Sequence, residues 1–323
     1  MSDKSILVVG ALEQDVYLSQ VTGLSLVAEN NVFYNKIKVG DNLLCHEKQA
    51  FLGGSGGNVG LAFSKWGLNT IVFSPLGSDG AAWEIRQQLD ANNINTSLIQ
   101  TNSKIATGIN YRLYDRGTTK QSVISYETSW TEVDLNKSLL LDPDFEWGYV
   151  ASAQGNFAFY DVLFRELKAA NRRILFNPGE AEIANISKFM GLVEDIDILL
   201  VNRHEAELIT GDKTLDGAVK KLTNLVVLAV ITGAEDGVIV SDGQSIWRAG
   251  VYQKVTQIDR TGVGDAFGAG FLAKYCQTGD VAQAIIFGSA NASSVIGKIG
   301  GTTGLIEFNS VLDNIQVRES SIL

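Results

Sequence analysis

Apolar residues follow two rhythms along this chain. Residues 5–10, 70–74, 149–152, 173–176, 197–201 and 225–232 are short, nearly unbroken apolar runs, the pattern of strands buried on both faces. Between them lie stretches with helical character, at residues 53–65, 80–92, 157–170, 202–210, 265–278 and 281–298. Asn156 stands where the third of these helices needs a cap. Strands and helices in alternation predict an α/β fold with a mostly parallel sheet covered by helices on both sides. Residues 238–241 and 245–248 read as a hairpin around Asp242-Gly243. Two further stretches break the rhythm. Residues 30–52 look like short strands around a Gly40-Asp41 turn. Residues 106–126 alternate, with Ile109, Tyr111 and Leu113 on one face and a turn at Arg116-Gly117-Thr118. Together they predict a small β lid over a cleft, in segments 12–50 and 106–128. There is no internal repeat or linker-like run, so the expectation is a single domain over residues 1–323.

Composition narrows the classes. With 323 residues and 45% hydrophobic content, the chain has material for one large core. A net charge of −10 argues against a nucleic-acid or anionic-membrane surface. The two cysteines, Cys45 and Cys276, are far apart, as in a reducing compartment. The N-terminus does not read as a signal peptide, and no run reaches the ~18 apolar residues of a membrane helix. The expectation is cytoplasmic. His46 and His204 are the only histidines, which leaves little room for a His-rich metal site or a Ser-His-Asp hydrolase.

The strongest chemical signal is Asp259-Arg260-Thr261-Gly262-Val263-Gly264-Asp265 followed by an apolar helix. Glycines there allow a sharp turn that exposes N–H groups, and the helix brings its positive dipole end to the same point. Such a place attracts anions. A carboxylate at its mouth, Asp265, suits a base that takes a proton from a hydroxyl while the loop holds a phosphoryl group. The same residues are also compatible with a plain capped turn. The loop is not a Walker loop, since Gly-Lys-Ser/Thr is missing, and Phe267 replaces the third glycine of a dinucleotide fingerprint.

Other candidates lie at predicted strand ends. Glu13 and Asp15, two apart after the first strand, point to one side of an extended segment and suit the gripping of hydroxyls. Gly53-Gly54-Ser55-Gly56-Gly57-Asn58 opens a helix and allows close approach of a ligand. Asn202 and Glu205 fit either a capping box or a site for nucleotide-borne magnesium, with Glu205 acting through water. Thr232-Gly233-Ala234-Glu235-Asp236-Gly237 closes a long strand as a turn.

Two of these stretches resemble signatures of the ribokinase-like (PfkB) kinases. They are Gly-Gly-x-Gly-x-Asn at residues 53–58 and Asp-Thr-x-Gly-x-Gly-Asp-x-Phe around Asp265, and the likeness runs from Gly10 to about Gly304. The resemblance implies a three-layer α/β/α sandwich with a β lid, ATP as donor, Mg²⁺, and a primary alcohol of a sugar as acceptor, with a nucleoside as the alternative. It implies Asp265 as base, with the N–H groups of Gly262, Val263 and Gly264 on the moving phosphoryl group. Asp15, Glu13, Gly53, Gly54 and Asn58 would hold the acceptor. Asn202, Thr232, Gly233, Gly237 and Asn291 would meet the nucleotide, and Glu205 the Mg²⁺. Asp259 and the loop at residues 298–301 would hold a monovalent cation such as K⁺. Apart from the resemblance, exposed lid strands suit pairing across a homodimer. Two positions depart from the usual pattern: Glu13 stands for Asn, and Arg260 for a small residue. A silent sugar- or nucleotide-binding protein on the same fold is the reading from a different class.

Overall fold

The computed structural model describes residues 5–30, 32–114, 121–131, 133, 135, 144–252, 255–312 and 315–321. In chain order the strands are β1 (Ser5–Val9), β2 (Glu13–Thr22), β3 (Leu24–Glu29), β4 (Val32–Ile37), β5 (Leu44–Gly53), β6 (Asn69–Leu76), β7 (Ile99–Thr101), β8 (Gly108–Tyr114) and β9 (Gln121–Tyr126). They continue with β10 (Phe145–Ala151), β11 (Arg173–Asn177), β12 (Ile198–Asn202), β13 (Leu228–Thr232), β14 (Val238–Ser241), β15 (Ser245–Ala249) and β16 (Arg318–Ser321).

Ten strands form one sheet in the order β16-β15-β14-β13-β12-β11-β10-β1-β6-β7. It is parallel from β7 to β13 and antiparallel beyond. Side chains alternate across it. Ile6 and Val8 enter the core under the Gly54–Lys65, Gly80–Ala91, Val263–Thr278 and Val281–Ile296 helices. Leu7 and Val9 enter the opposite core, under the Phe157–Ala169, Arg203–Thr210 and Leu215–Leu222 helices. Strands buried on both faces read as continuous apolar runs, which is why they were visible in the sequence. β1 is the point from which the chain builds in both directions, to β6 on one side and β10 on the other. In such sheets ligands bind beyond the carboxyl ends of strands at that point.

The lid is a four-stranded sheet, β5-β2-β8-β9, with a separate β3-β4 ribbon. It differs from expectation in its pairing. The strand after residue 40 does not fold back on the one before it. β5 pairs antiparallel with β2, and β4 pairs with β3. The predicted turn at residues 116–118 lies outside the described residues, but β8 and β9 pair antiparallel on either side of it. β2 itself was not read as a strand. Its inward face carries buried polar residues, Asp15 among them, so the usual polar-out alternation is absent.

Candidate active site

β2 leaves the end of β1 with Glu13 opposite Gly53 of β5 and Gly108 of β8. Asp15, two residues on, faces the same way and is opposite Asn110. The Asn110 amide donates to Glu13 Oε2 and to Asp15 Oδ1, both at 2.8 Å. Arg112, the next inward residue of β8, donates to Asp15 Oδ1 at 3.2 Å. The acidic pair is therefore held by an amide and a guanidinium from another lid strand. Burial raises the Glu13 carboxyl above its usual range, and the nearby Asp15 and Glu127 carboxylates add to the effect. Gly53 permits this packing without lining the cleft itself: a side chain there would start 2.6 Å from the Asp15 carboxyl carbon.

The Gly54–Lys65 helix starts where β5 ends. Gly54 has φ +73°, and a Cβ on it would lie 2.3 Å from the Ala11 carbonyl oxygen. Only glycine lets this turn seat against the end of β1. Asn58, in the second turn, donates from Nδ2 to Asp265 Oδ2 at 2.8 Å. The two glycine-rich stretches thus meet through one hydrogen bond.

Asp265 lies in the first turn of the Val263–Thr278 helix, whose N-cap is Gly262 in the left-handed region. The helix starts two residues earlier than expected. Asp265 is then the third residue of the helix rather than its first. Gly268, one turn on, packs against Tyr149 of β10 and Leu200 of β12, so the helix lies across these strands. Asp265 is half-buried. Burial raises its carboxyl above the ordinary range; hydrogen bonds from Asn58 and Ser55 oppose this, and the Asp15 charge adds to it.

Asp265, Gly262, Asn58, Gly54, Glu13 and Asp15 all line one cleft of about 460 Å³. The same cleft is lined by Asn110, Arg112, Gln121, Glu127, Trp130, Ser152, Gln154 and Arg260, which the sequence did not single out as ligand contacts. Arg260 lies in the loop before Asp265; no local motif marks the others, which come together through strand pairing in the lid and through the segments after β9 and β10. Gln154 donates to Glu127 at 2.9 Å across the cleft wall. Asn58 Oδ1, Arg112 Nε, Gln121 Oε1 and Trp130 Nε1 are buried with no hydrogen-bond partner among the described residues. All four residues line the cleft, although these atoms themselves are buried within its wall.

The remaining candidates form a second cluster at the same sheet edge. Asn202 is in register with Thr232. Asn202 and Glu205 make the capping box: the Glu205 N–H donates to Asn202 Oδ1 at 3.0 Å and the Asn202 N–H to Glu205 Oε2 at 2.8 Å. Burial raises the Glu205 carboxyl. Arg203 pairs with Asp236 and ties this helix to the Gly233–Gly237 turn, where the Gly233 N–H donates to the Gly237 carbonyl at 2.7 Å. β12 is three strands from β1, about 14 Å at normal strand spacing, within the span of a nucleoside triphosphate.

Two assignments change. Asn291 is fully buried; its Nδ2 donates to the Ala266 carbonyl at 2.7 Å and its Oδ1 accepts from the Ile306 N–H at 3.1 Å. Fully buried and with both ends of its amide engaged, it is not presented to a nucleotide base, and it braces the Val263–Thr278 helix instead. Asp259 is also buried, and donors fill its surroundings. Its Oδ2 accepts from Tyr17 OH at 2.5 Å and the Gly300 N–H at 2.9 Å. Its Oδ1 accepts from Gln121 Nε2 at 3.0 Å and from the N–H and hydroxyl of Thr261 at 2.9 and 2.7 Å. Burial acts to raise its carboxyl, but these hydrogen bonds outweigh it and hold the group below the ordinary range. A carboxylate surrounded by five donors does not fit the expected role of cation ligand.

The pfkB family carbohydrate kinase model matches residues 21–307. The chain belongs to this family. PfkB kinases are phosphotransferases that act on hydroxyl groups of sugars and nucleosides and use ATP. Among pfkB relatives, the chain is 23% identical to the ATP-dependent 6-phosphofructokinase of Thermoanaerobacterium thermosaccharolyticum, over 84% of this chain and 87% of the relative. It is 24% identical to the nucleoside kinase of Methanocaldococcus jannaschii, over 82% and 86%. Among solved structures it is similar to Arabidopsis thaliana ribokinase complexed with ribose and ATP, with a TM-score of 0.75, 18% identity, and 94% and 96% of the two chains covered. That likeness bears on the fold: the three-layer sandwich and the small β lid are those of ribokinase-like structures. Among the described residues no helix is long and apolar enough to cross a membrane.

Proposed function

We propose that this kinase transfers the γ-phosphoryl group of ATP to a hydroxymethyl group of a small neutral sugar, with Asp265 as general base. The observation that carries the reading is that Asp265, at the N-terminal tip of a helix, shares one cleft with Glu13 and Asp15. In this reading Asp15, Glu13 and Asn58 hold the acceptor so that its hydroxyl faces Asp265. The Asn58 amide orients the carboxylate, and the proton passes to Asp265 as the oxygen attacks phosphorus. The N–H groups of Gly262, Val263 and Gly264, with the helix dipole, stabilise the charge that builds on the transferred group. Asn202, Thr232, Gly233 and Gly237 face the nucleotide. Magnesium bound with the nucleotide neutralises phosphate charge. The capping bond uses one oxygen of Glu205, and the other would hold that ion through water.

The cleft lining supports a sugar over a nucleoside. Its one indole, Trp130, is 1% exposed and packs on Phe73 and Phe159, so it offers no face to a base. Its lining mixes carboxylates (Glu13, Asp15) and amides (Asn110, Gln154), a match for hydroxyls, which both donate and accept. Glu13, Asp15 and Glu127 disfavour a sugar already phosphorylated, by like-charge repulsion. The test is ADP release with ribose, fructose, fructose 6-phosphate and inosine. A neutral sugar should turn over fastest. Fastest turnover of inosine or of fructose 6-phosphate would overturn the acceptor assignment, and none with any acceptor would count against the whole reading. We also propose that a second copy covers the exposed outer face of β9, where Ile124 and Tyr126 are 63% and 56% exposed. A monomer in sedimentation equilibrium at micromolar concentration would count against it.

A further inference from the structure

Asp259 is the meeting point of two parts of the molecule that the reaction must coordinate. Tyr17 reaches it from lid strand β2 and Gln121 from lid strand β9. Thr261 reaches it from the phosphoryl-binding loop, and Gly300 from the turn that packs under that loop. The connection continues to the acceptor end of the cleft. The guanidinium of Arg112, which pairs with Asp15, sits 5.6 Å from the centre of the Tyr17 ring. The Tyr17 ring meets Phe51 edge-on at 5.4 Å, and Phe51 packs on Gly300. A continuous set of contacts therefore runs from the carboxylate that grips the acceptor to the loop that grips the phosphoryl group.

We propose that Tyr17 and Asp259 are positioning residues that lock the phosphoryl-binding loop to the closed lid, and that protein donors take the place of a monovalent cation at Asp259. The kinetic part of this proposal rests on the kinase reading above; the cation part does not. When the lid seats Tyr17, its hydroxyl completes the donor set of Asp259. Asp259 then holds the Thr261 N–H and hydroxyl, which sets the backbone leading into Gly262. With the lid open, Asp259 loses Tyr17 and Gln121, and the loop loses part of its support. Acceptor binding at Asp15 would thus favour the loop geometry needed for transfer, which limits loss of ATP to water.

The first test needs no acceptor. The wild-type protein is melted in potassium chloride and in tetramethylammonium chloride at equal ionic strength, with and without ADP and magnesium. The proposal expects the same melting temperature in both salts. A potassium-specific rise that is abolished in Asp259→Asn would overturn it and make Asp259 a cation ligand. The second test is Tyr17→Phe, which removes the hydroxyl and keeps the ring under Arg112. With the best acceptor of the panel, kcat should fall about tenfold, the effect of one charge-assisted hydrogen bond, with KM for ATP unchanged. ATP hydrolysis without acceptor should become a larger share of total turnover. Unchanged kcat and unchanged coupling would overturn the positioning role, because loss of a purely structural contact lowers stability without altering that ratio. If Tyr17→Phe does not fold, Gln121→Ala is read by the same kinetics.

Discussion

Asp265 works against the stability of the protein it serves. Its carboxyl is raised by burial and by the Asp15 charge. The folded state therefore holds its proton more tightly than the unfolded chain does. Stability associated with this group is present at acid pH and falls as pH rises through the shifted value. At neutral pH the ionised side chain is destabilising, and Asp265→Asn keeps an oxygen for the Asn58 amide. The variant should melt higher than wild type at pH 7, with the difference shrinking in acid. Thermal melts across pH check this, and a variant that melts lower at pH 7 would contradict it. Asp259 has the opposite sign, since its hydrogen bonds stabilise the charged form. At this scale the sequence was a good guide to residues within a motif. Asp15, Asn58 and Asp265 reached one cleft as expected. It was a poor guide to what each polar atom does. The Asn291 amide in a small-residue helix looks the same whether it faces a ligand or a carbonyl, and only the packing decides.

Elements place those residues, and two turns carry the strictest demands. Gly262 caps the Val263–Thr278 helix with φ +67°, and a Cβ on it would fall 2.7 Å from the Gly301 Cα. Gly262→Ala should lose about 2 kcal/mol or more, from left-handed strain plus the backbone clash. Urea unfolding measures this, and an unchanged midpoint and slope would show that the loop is looser than described. The alternating strands and helices were legible because a doubly covered sheet writes itself as apolar runs. The lid was legible only in part. β8 and β9 alternate and were recognised, whereas β2 hid its strand character behind inward polar residues. Asn110 and Arg112 were invisible as site residues for the same reason. Their role depends on β8 lying parallel beside β2 in one register, and nothing local in the sequence states that register.

At the scale of the whole molecule, a wide sheet fixes both candidate clusters at one edge, and a smaller sheet lies over one of them. The Val263–Thr278 helix packs across β10 and β12, with Asp265 in its first turn. Phosphoryl transfer needs that arrangement, because it depends on positioning and charge more than on covalent chemistry. If Asp265 supplies the base, its loss should affect chemistry and leave nucleotide binding alone. The direct measurement is steady-state ADP release by wild type and Asp265→Asn with the best acceptor, alongside ATP affinity by calorimetry. Base catalysis by Asp265 predicts at least ~10²-fold lower kcat in the variant at unchanged ATP affinity. Turnover close to that of wild type would contradict it.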